Sequence, residues 1–175
     1  MRESVPCSRY TVATLESFVK IEARSTLHAI KGRGTGLHGY VDAAFWGEGL
    51  RRDVPLRLHL EIPVAKLDSG KPAQDREMHR LMSSKSFPNI VADLVTATPT
   101  DRPNRYAITG SVSVRGTTRN VGGEMTMRQR DGRVEIDGEQ TVDIRTFGIQ
   151  PPRILMFSIL PDVTINLHVV AILTG

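Results

Sequence analysis

Apolar and polar residues alternate along residues 106–127 in a pattern that sets the architecture of the chain. Tyr106, Ile108, Gly110, Val112 and Val114 take every second place, with Ala107, Thr109, Ser111, Ser113 and Arg115 between them. A two-residue period of this kind belongs to a strand buried on one face. Gly116 frees the backbone for a turn, and alternation resumes with Val121, Gly123, Met125 and Met127 against Asn120, Gly122, Glu124 and Thr126. The pattern predicts a long antiparallel hairpin. Its apolar face cannot be covered by the hairpin alone, so further strands are required.

Those strands recur on both sides. Residues 10–29 alternate through Val19, Ile21, Ala23, Ser25 and Leu27, and alternation returns from Leu37 through Gly39, Val41, Ala43 and Phe45. Between them KGRGTG, residues 31–36, carries three glycines at alternate places and reads as a mobile loop; its spacing is not that of a dinucleotide-binding turn. Leu56, Leu58, Leu60 and Ile62, with Arg57, His59 and Glu61 outward, form another half-buried strand. Residues 90–97 read as a strand of mixed burial. After the hairpin, an Asp131-Gly132 turn leads into Val134, Ile136, Gly138, Gln140, Val142 and Ile144. Phe147, Gly148, Ile149, Pro151 and Pro152 make a corner, Leu155, Met156 and Phe157 an apolar patch, and the last strand runs through Val163, Ile165, Leu167, Val169, Ala171 and Leu173.

One helix interrupts this series. In QDREMHRLMSSKS, Met78, Leu81 and Met82 recur at three- and four-residue spacing, which predicts a helix over about 75–86 with Asp75 as its cap or first-turn acid. Asp75 and His79 share a face. With no third ligand nearby, a solvated helix face is preferred to an acid–base or metal pair.

The elements together predict an all-β, single-domain fold: an extended eight-stranded antiparallel barrel over residues 10–175, preceded by a tail over residues 1–9, with a sandwich as the alternative. A chain of 175 residues is long enough for one substantial core. Hydrophobic residues are 39% of the chain and aromatics 5%, so the interior is expected to be aliphatic. Inward glycine and alanine positions lean toward a partly open interior.

Charge and chemistry narrow the function classes. The net charge is +4, but basic residues fall singly and carry no interleaved aromatics, which excludes a nucleic-acid groove. The single cysteine, Cys7, excludes an internal disulfide and a cysteine-based zinc site. The five histidines are dispersed and no serine sits in a GxSxG elbow, so no catalytic constellation emerges and no metal or cofactor is required. No apolar run reaches membrane-spanning length and no secretory leader is evident. The expected location is cytoplasmic as the chain stands, or periplasmic or secreted if a signal peptide has been removed.

Strand phase nominates Val41, Leu58, Ile108, Val112, Val114, Met125, Ile136, Val142, Ile165 and Val169 as the lining of the interior, with Phe147 at the corner. Gln140 is the anomaly. An amide on the apolar phase needs a partner, either backbone or water, or the polar end of a ligand.

These segments carry a resemblance. YAITGSVSVRGTTRNV, DREMHRLMSSKSFPNI, IPVAKLDSG and RTFGIQPPRILMFSILPDVTINLHV are similar to blocks of the YceI-like family of lipid-binding β-barrels, over about residues 18–172. The resemblance implies a lipocalin-like extended eight-stranded barrel that holds an isoprenoid or quinone-like chain in a long apolar tunnel, with dimers known in the family. The expected function is therefore non-catalytic binding, storage or transport of such a lipid. A filled-core structural or stress-linked barrel ranks second and a cryptic hydrolase third.

Overall fold

A computed structural model describes residues 6–151, 153–154 and 157–174. Of the corner and patch expected after Phe147, Pro152, Leu155 and Met156 lie outside the described residues, and the tail does so over residues 1–5. In chain order the strands are β1 (Ser8–Val12), β2 (Phe18–Ser25), β3 (Ala29–Gly34), β4 (His38–Ala43), β5 (Phe45–Trp46), β6 (Gly49–Leu50), β7 (Arg57–Pro63) and β8 (Leu67–Asp68). The helix α1 (Pro72–Leu81) follows, then β9 (Asn89–Pro99), β10 (Arg105–Val114), β11 (Thr117–Arg130), β12 (Arg133–Asp143), β13 (Arg153–Ile154) and β14 (Phe157–Leu173). The first strand begins inside the stretch expected to be tail.

Eight of these strands pair in the order β1-β4-β7-β9-β10-β11-β12-β14, and β14 pairs back with β1, so the sheet closes into an antiparallel barrel. Closure leaves no free sheet edge around the ring at that level. The predicted hairpin is β10–β11, in register from Arg105↔Thr126 to Val114↔Thr117. Its turn residues Arg115 and Gly116 both have positive φ, 52° and 75°, as a tight two-residue hairpin requires.

The long strand β14 serves two partners. Its end pairs with β1, Tyr10↔Leu173 to Val12↔Ala171, and its earlier part pairs with β2, Ser25↔Ile159 to Phe18↔His168. Ser17, buried between β1 and β2, satisfies the backbone at the changeover: its hydroxyl accepts from the Val170 N–H at 3.0 Å and donates to the Val170 carbonyl at 3.2 Å. What reads in sequence as one strand over residues 10–29 is thus two strands and the start of a third.

The glycine-rich stretch is not a loop. Residues Ala29–Gly34 form β3, paired with β2 from Arg24↔Ala29 to Val19↔Gly34 and with β8 through Gly34↔Leu67. Because β8 follows β7 after the short turn Val64–Lys66, this second pairing sets the chain just beyond β7 against β3.

The helix is shorter than the sequence predicts and begins earlier. Lys71 precedes it without a side-chain cap and Pro72 takes the first turn, where its missing N–H costs nothing. Asp75 is therefore a first-turn acid rather than the cap, and residues 82–86 form turns, with Ser83 at φ 51°. Met78 and Met82 pack on the core.

Candidate functional site: an apolar cavity inside the barrel

The interior divides into two levels. At one end Tyr10, Val12, Val41, Ala43, Met127, Val134, Val169 and Ala171 pack into a solid core. Toward the helix the packing gives way to a cavity of about 420 Å³ with an almost wholly aliphatic wall. Its sides are Val19, Ile21 and Ala23 of β2, Leu58, Leu60 and Ile62 of β7, and Ile90, Ala92 and Leu94 of β9. The hairpin adds Ile108, Val112, Val114, Val121 and Met125, β12 adds Ile136, Gln140 and Val142, and β14 adds Val163, Ile165 and Leu167.

Of the residues nominated by strand phase, Leu58, Ile108, Val112, Val114, Met125, Ile136, Gln140, Val142, Phe147 and Ile165 all reach this cavity. Val41 and Val169 do not. Both point inward as expected, but they are fully buried in the solid end, so they belong to the floor rather than to the lining. The helix contributes Met78 and Leu81, and the turn after it Met82; their spacing predicts the helix but not that it forms part of the wall.

A separate cluster closes one side of the mouth. Val114, Phe147 and Ile149 are buried together, with Met82, Ile90, Val112, Val121 and Ile144 against them. The corner is built by a 3-10 turn, Ile144–Phe147, that Asp143 starts by accepting from the Arg145 N–H and that Gly148 ends at φ 75°. Arg115 at the hairpin tip donates to the Gly148 carbonyl at 3.2 Å. Phe87, just past the helix, touches the same tip: a β-carbon on Gly116 would lie 2.7 Å from its ring.

Polar groups gather at the helix. Ser69 donates to Asp75 from its N–H at 2.8 Å and from its hydroxyl at 2.7 Å, which holds the Asp75 carboxyl below the ordinary aspartate range. His79 donates from Nε2 to the Leu67 carbonyl at 3.0 Å. The two residues expected to present a solvated face instead tie the helix to the β8 segment. Glu77 lies alongside, held below its usual pKa by Arg80. Among the described residues no group of three or more His, Cys, Asp or Glu is placed to hold a metal ion.

The β11–β12 ladder stops short. It runs from Arg130↔Arg133 to Glu124↔Glu139, so residues 117–123 of β11 and 140–143 of β12 have no partner across that seam. Gln140 stands at the point of parting, and its Oε1 lies 2.7 Å from where a β-carbon on Gly123 would be.

An antiparallel sheet closed around an aliphatic cavity of ligand size defines a β-barrel of the lipocalin-like class. Within that class, the chain belongs to the YceI-like domain family, whose model matches residues 10–171. Burkholderia cenocepacia BcnA superposes with a TM-score of 0.76 at 18% identity, over 91% of this chain and 99% of that one. A polyisoprenoid-binding domain from Saccharophagus degradans, implicated in plant cell wall breakdown, gives 0.72 at 9% identity over 94% and 98% of the two chains. The Campylobacter jejuni YCEI protein gives 0.66 at 13% identity over 83% and 86%. No curated protein sequence matches the chain significantly. No helix among the described residues is long and apolar enough to cross a membrane.

Proposed function

We propose that the barrel binds a hydrophobic lipid, an isoprenoid or quinone-like chain, in its interior and stores or carries it without chemical change. The observation that carries this reading is the cavity: about 420 Å³ walled by Val, Ile, Leu and Met, within the roughly 300–1,000 Å³ range of small-molecule sites. Few rings line it, so a flat aromatic cofactor has little to stack on, whereas a flexible hydrocarbon is held by non-directional burial at about 25 cal/mol per Å². Membership of the YceI-like family supports the reading, as does the Saccharophagus degradans domain described as binding a polyisoprenoid.

The test is native mass spectrometry of the purified protein, with an organic extract compared against a mock purification. A lipid mass that co-purifies, or uptake of an added prenyl alcohol by the apo protein, supports the carrier. A clean apo mass with no uptake counts against it.

A further inference from the structure

Gln140 lines the cavity in register with Ile165 of β14 on one side and just beyond the last β11–β12 pair on the other. It is half-buried, and its side-chain amide makes no hydrogen bond to another described residue. The other polar side chains of the lining are placed differently. Ser69, Gln74, Asp75 and Glu77 lie on the helix or its approach, while Asp93, Glu124 and Glu139 are exposed on the outer phase of their strands. Gln140 is the polar side chain that the strands themselves turn inward.

The wall around it is stripped of side chains. Gly123 faces it across the seam, and Gly138 precedes it on the same face of β12. Gly110, beside the β9 bulge, also lines the cavity; an added β-carbon there would meet only the Asp93 carbonyl within 4 Å, at 3.3 Å. Gly123 makes room for the amide itself, since a β-carbon there would lie 2.7 Å from Gln140 Oε1. Among the described residues, every charged residue that reaches the lining is a carboxylate, and no Lys, Arg or His is among them.

We propose that Gln140 is the contact that selects the ligand's polar group, and that it selects a neutral hydroxyl or carbonyl while disfavouring phosphorylated lipids. This rests on the lipid-chain reading above. An amide offers both a donor and an acceptor, so it pairs with either oxygen function. A pure hydrocarbon would leave the amide facing apolar atoms, and sites built to bond one polar atom discriminate against analogues that lack it. A phosphate would be desolvated against an apolar wall on which the described residues place no cation, a costly arrangement for an anion.

Three probes of equal chain length test this in a fluorescent-lipid displacement assay: a prenyl alcohol, its monophosphate and the oxygen-free hydrocarbon. Wild type is expected to bind the alcohol about tenfold or more tighter than the hydrocarbon, with the phosphate weakest. In Gln140→Leu the preference for the alcohol over the hydrocarbon should vanish while the hydrocarbon binds at least as well as before. Circular dichroism checks the fold; if Gln140→Leu does not fold, Gln140→Met and the wild-type ranking decide. A phosphate that binds as tightly as the alcohol, or an alcohol preference retained in the variant, overturns the proposal. Equal binding of all three rejects it while leaving the lipid carrier intact, whereas no binding of any probe rejects both.

Discussion

Gly34 and Leu67 face each other across β3 and β8 so closely that a β-carbon on Gly34 would come within 2.7 Å of Leu67 Cδ2, and within 2.6 Å of Val19 Cγ1. Both neighbours are buried and neither can swing into solvent. Gly34→Ala is therefore expected to destabilise by roughly 1–3 kcal/mol through overpacking, read as a lower denaturant midpoint. An unchanged midpoint would show that β3 can move away and that the pairing is slack.

The two levels of the interior should answer differently to the same enlargement. Val112→Trp adds its ring to the cavity and should abolish lipid uptake with little loss of stability. Val169→Trp has no void to enter and should lower stability by roughly 1–3 kcal/mol or more. Uptake and melting temperature, measured on both variants, check the pair. Uptake that survives Val112→Trp alongside lowered stability would reject the cavity as the binding space.

Chain length gives a graded readout. Each methylene buried in the cavity contributes up to about 0.8 kcal/mol, less the entropy of straightening the chain. Affinity across a series of prenyl alcohols should rise with length and then level off when the cavity is full. A length-independent series, or tighter binding of a flavin or haem control, would count against an aliphatic ligand.

On the outer wall, His59 Nδ1 lies 2.6 Å from Asp93 Oδ1, with Tyr40 stacked on the imidazole. The bond to Asp93 raises the His59 pKa above its ordinary value despite partial burial, with Glu61 adding to the effect. A raised histidine pKa means that the stabilisation is complete below the unfolded value near pH 6.5 and is lost as the pH climbs through the folded one. The stability difference between wild type and His59→Gln should thus be larger at about pH 5.5 than at about pH 9. Equal differences at both would show that the bridge contributes no net charge pairing.

At the corner, Phe147→Ala removes the largest side chain of the mouth cluster and is expected to cost about 3 kcal/mol. Bound lipid should also leave faster, because the cluster covers one side of the cavity. Melting temperature and the release rate of a fluorescent lipid separate the two effects. A variant that melts lower but releases at the wild-type rate would make the corner a structural prop alone.

The hairpin was legible because one of its faces is wet and the other dry, so Ile108, Val112, Val114, Val121 and Met125 all point where their phase says. Depth was not legible. Val41 and Val142 share the inward phase, yet one is packed in the floor and the other looks into empty space. The difference depends on which residues stack at the same height around the ring, a property of register rather than of period.

Of two strands without clean alternation, β9 is expected from the sequence as a strand of mixed burial and β3 is not, each for a local reason. In β9 the pairing passes from Thr96↔Thr109 to Leu94↔Gly110, so Val95 is an extra residue that breaks the alternation and stands exposed. Ile90, Ala92, Leu94 and Ala97 nevertheless all turn inward against the core. In β3 the glycines imitate a loop because their purpose is tertiary: only the neighbours at Gly34, far away in sequence, explain why a side chain is missing there.

The parting of β11 from β12 has a consequence beyond the cavity. Along residues 117–123 the backbone of β11 is paired with β10 but not with β12, which makes this stretch a sheet edge. Unguarded, such an edge is a template on which a strand of another molecule can add. Val121 packs under Phe147 and Ile149, and Arg119 places a charge on the same run. The corner and that arginine shield a length of backbone that would otherwise invite aggregation.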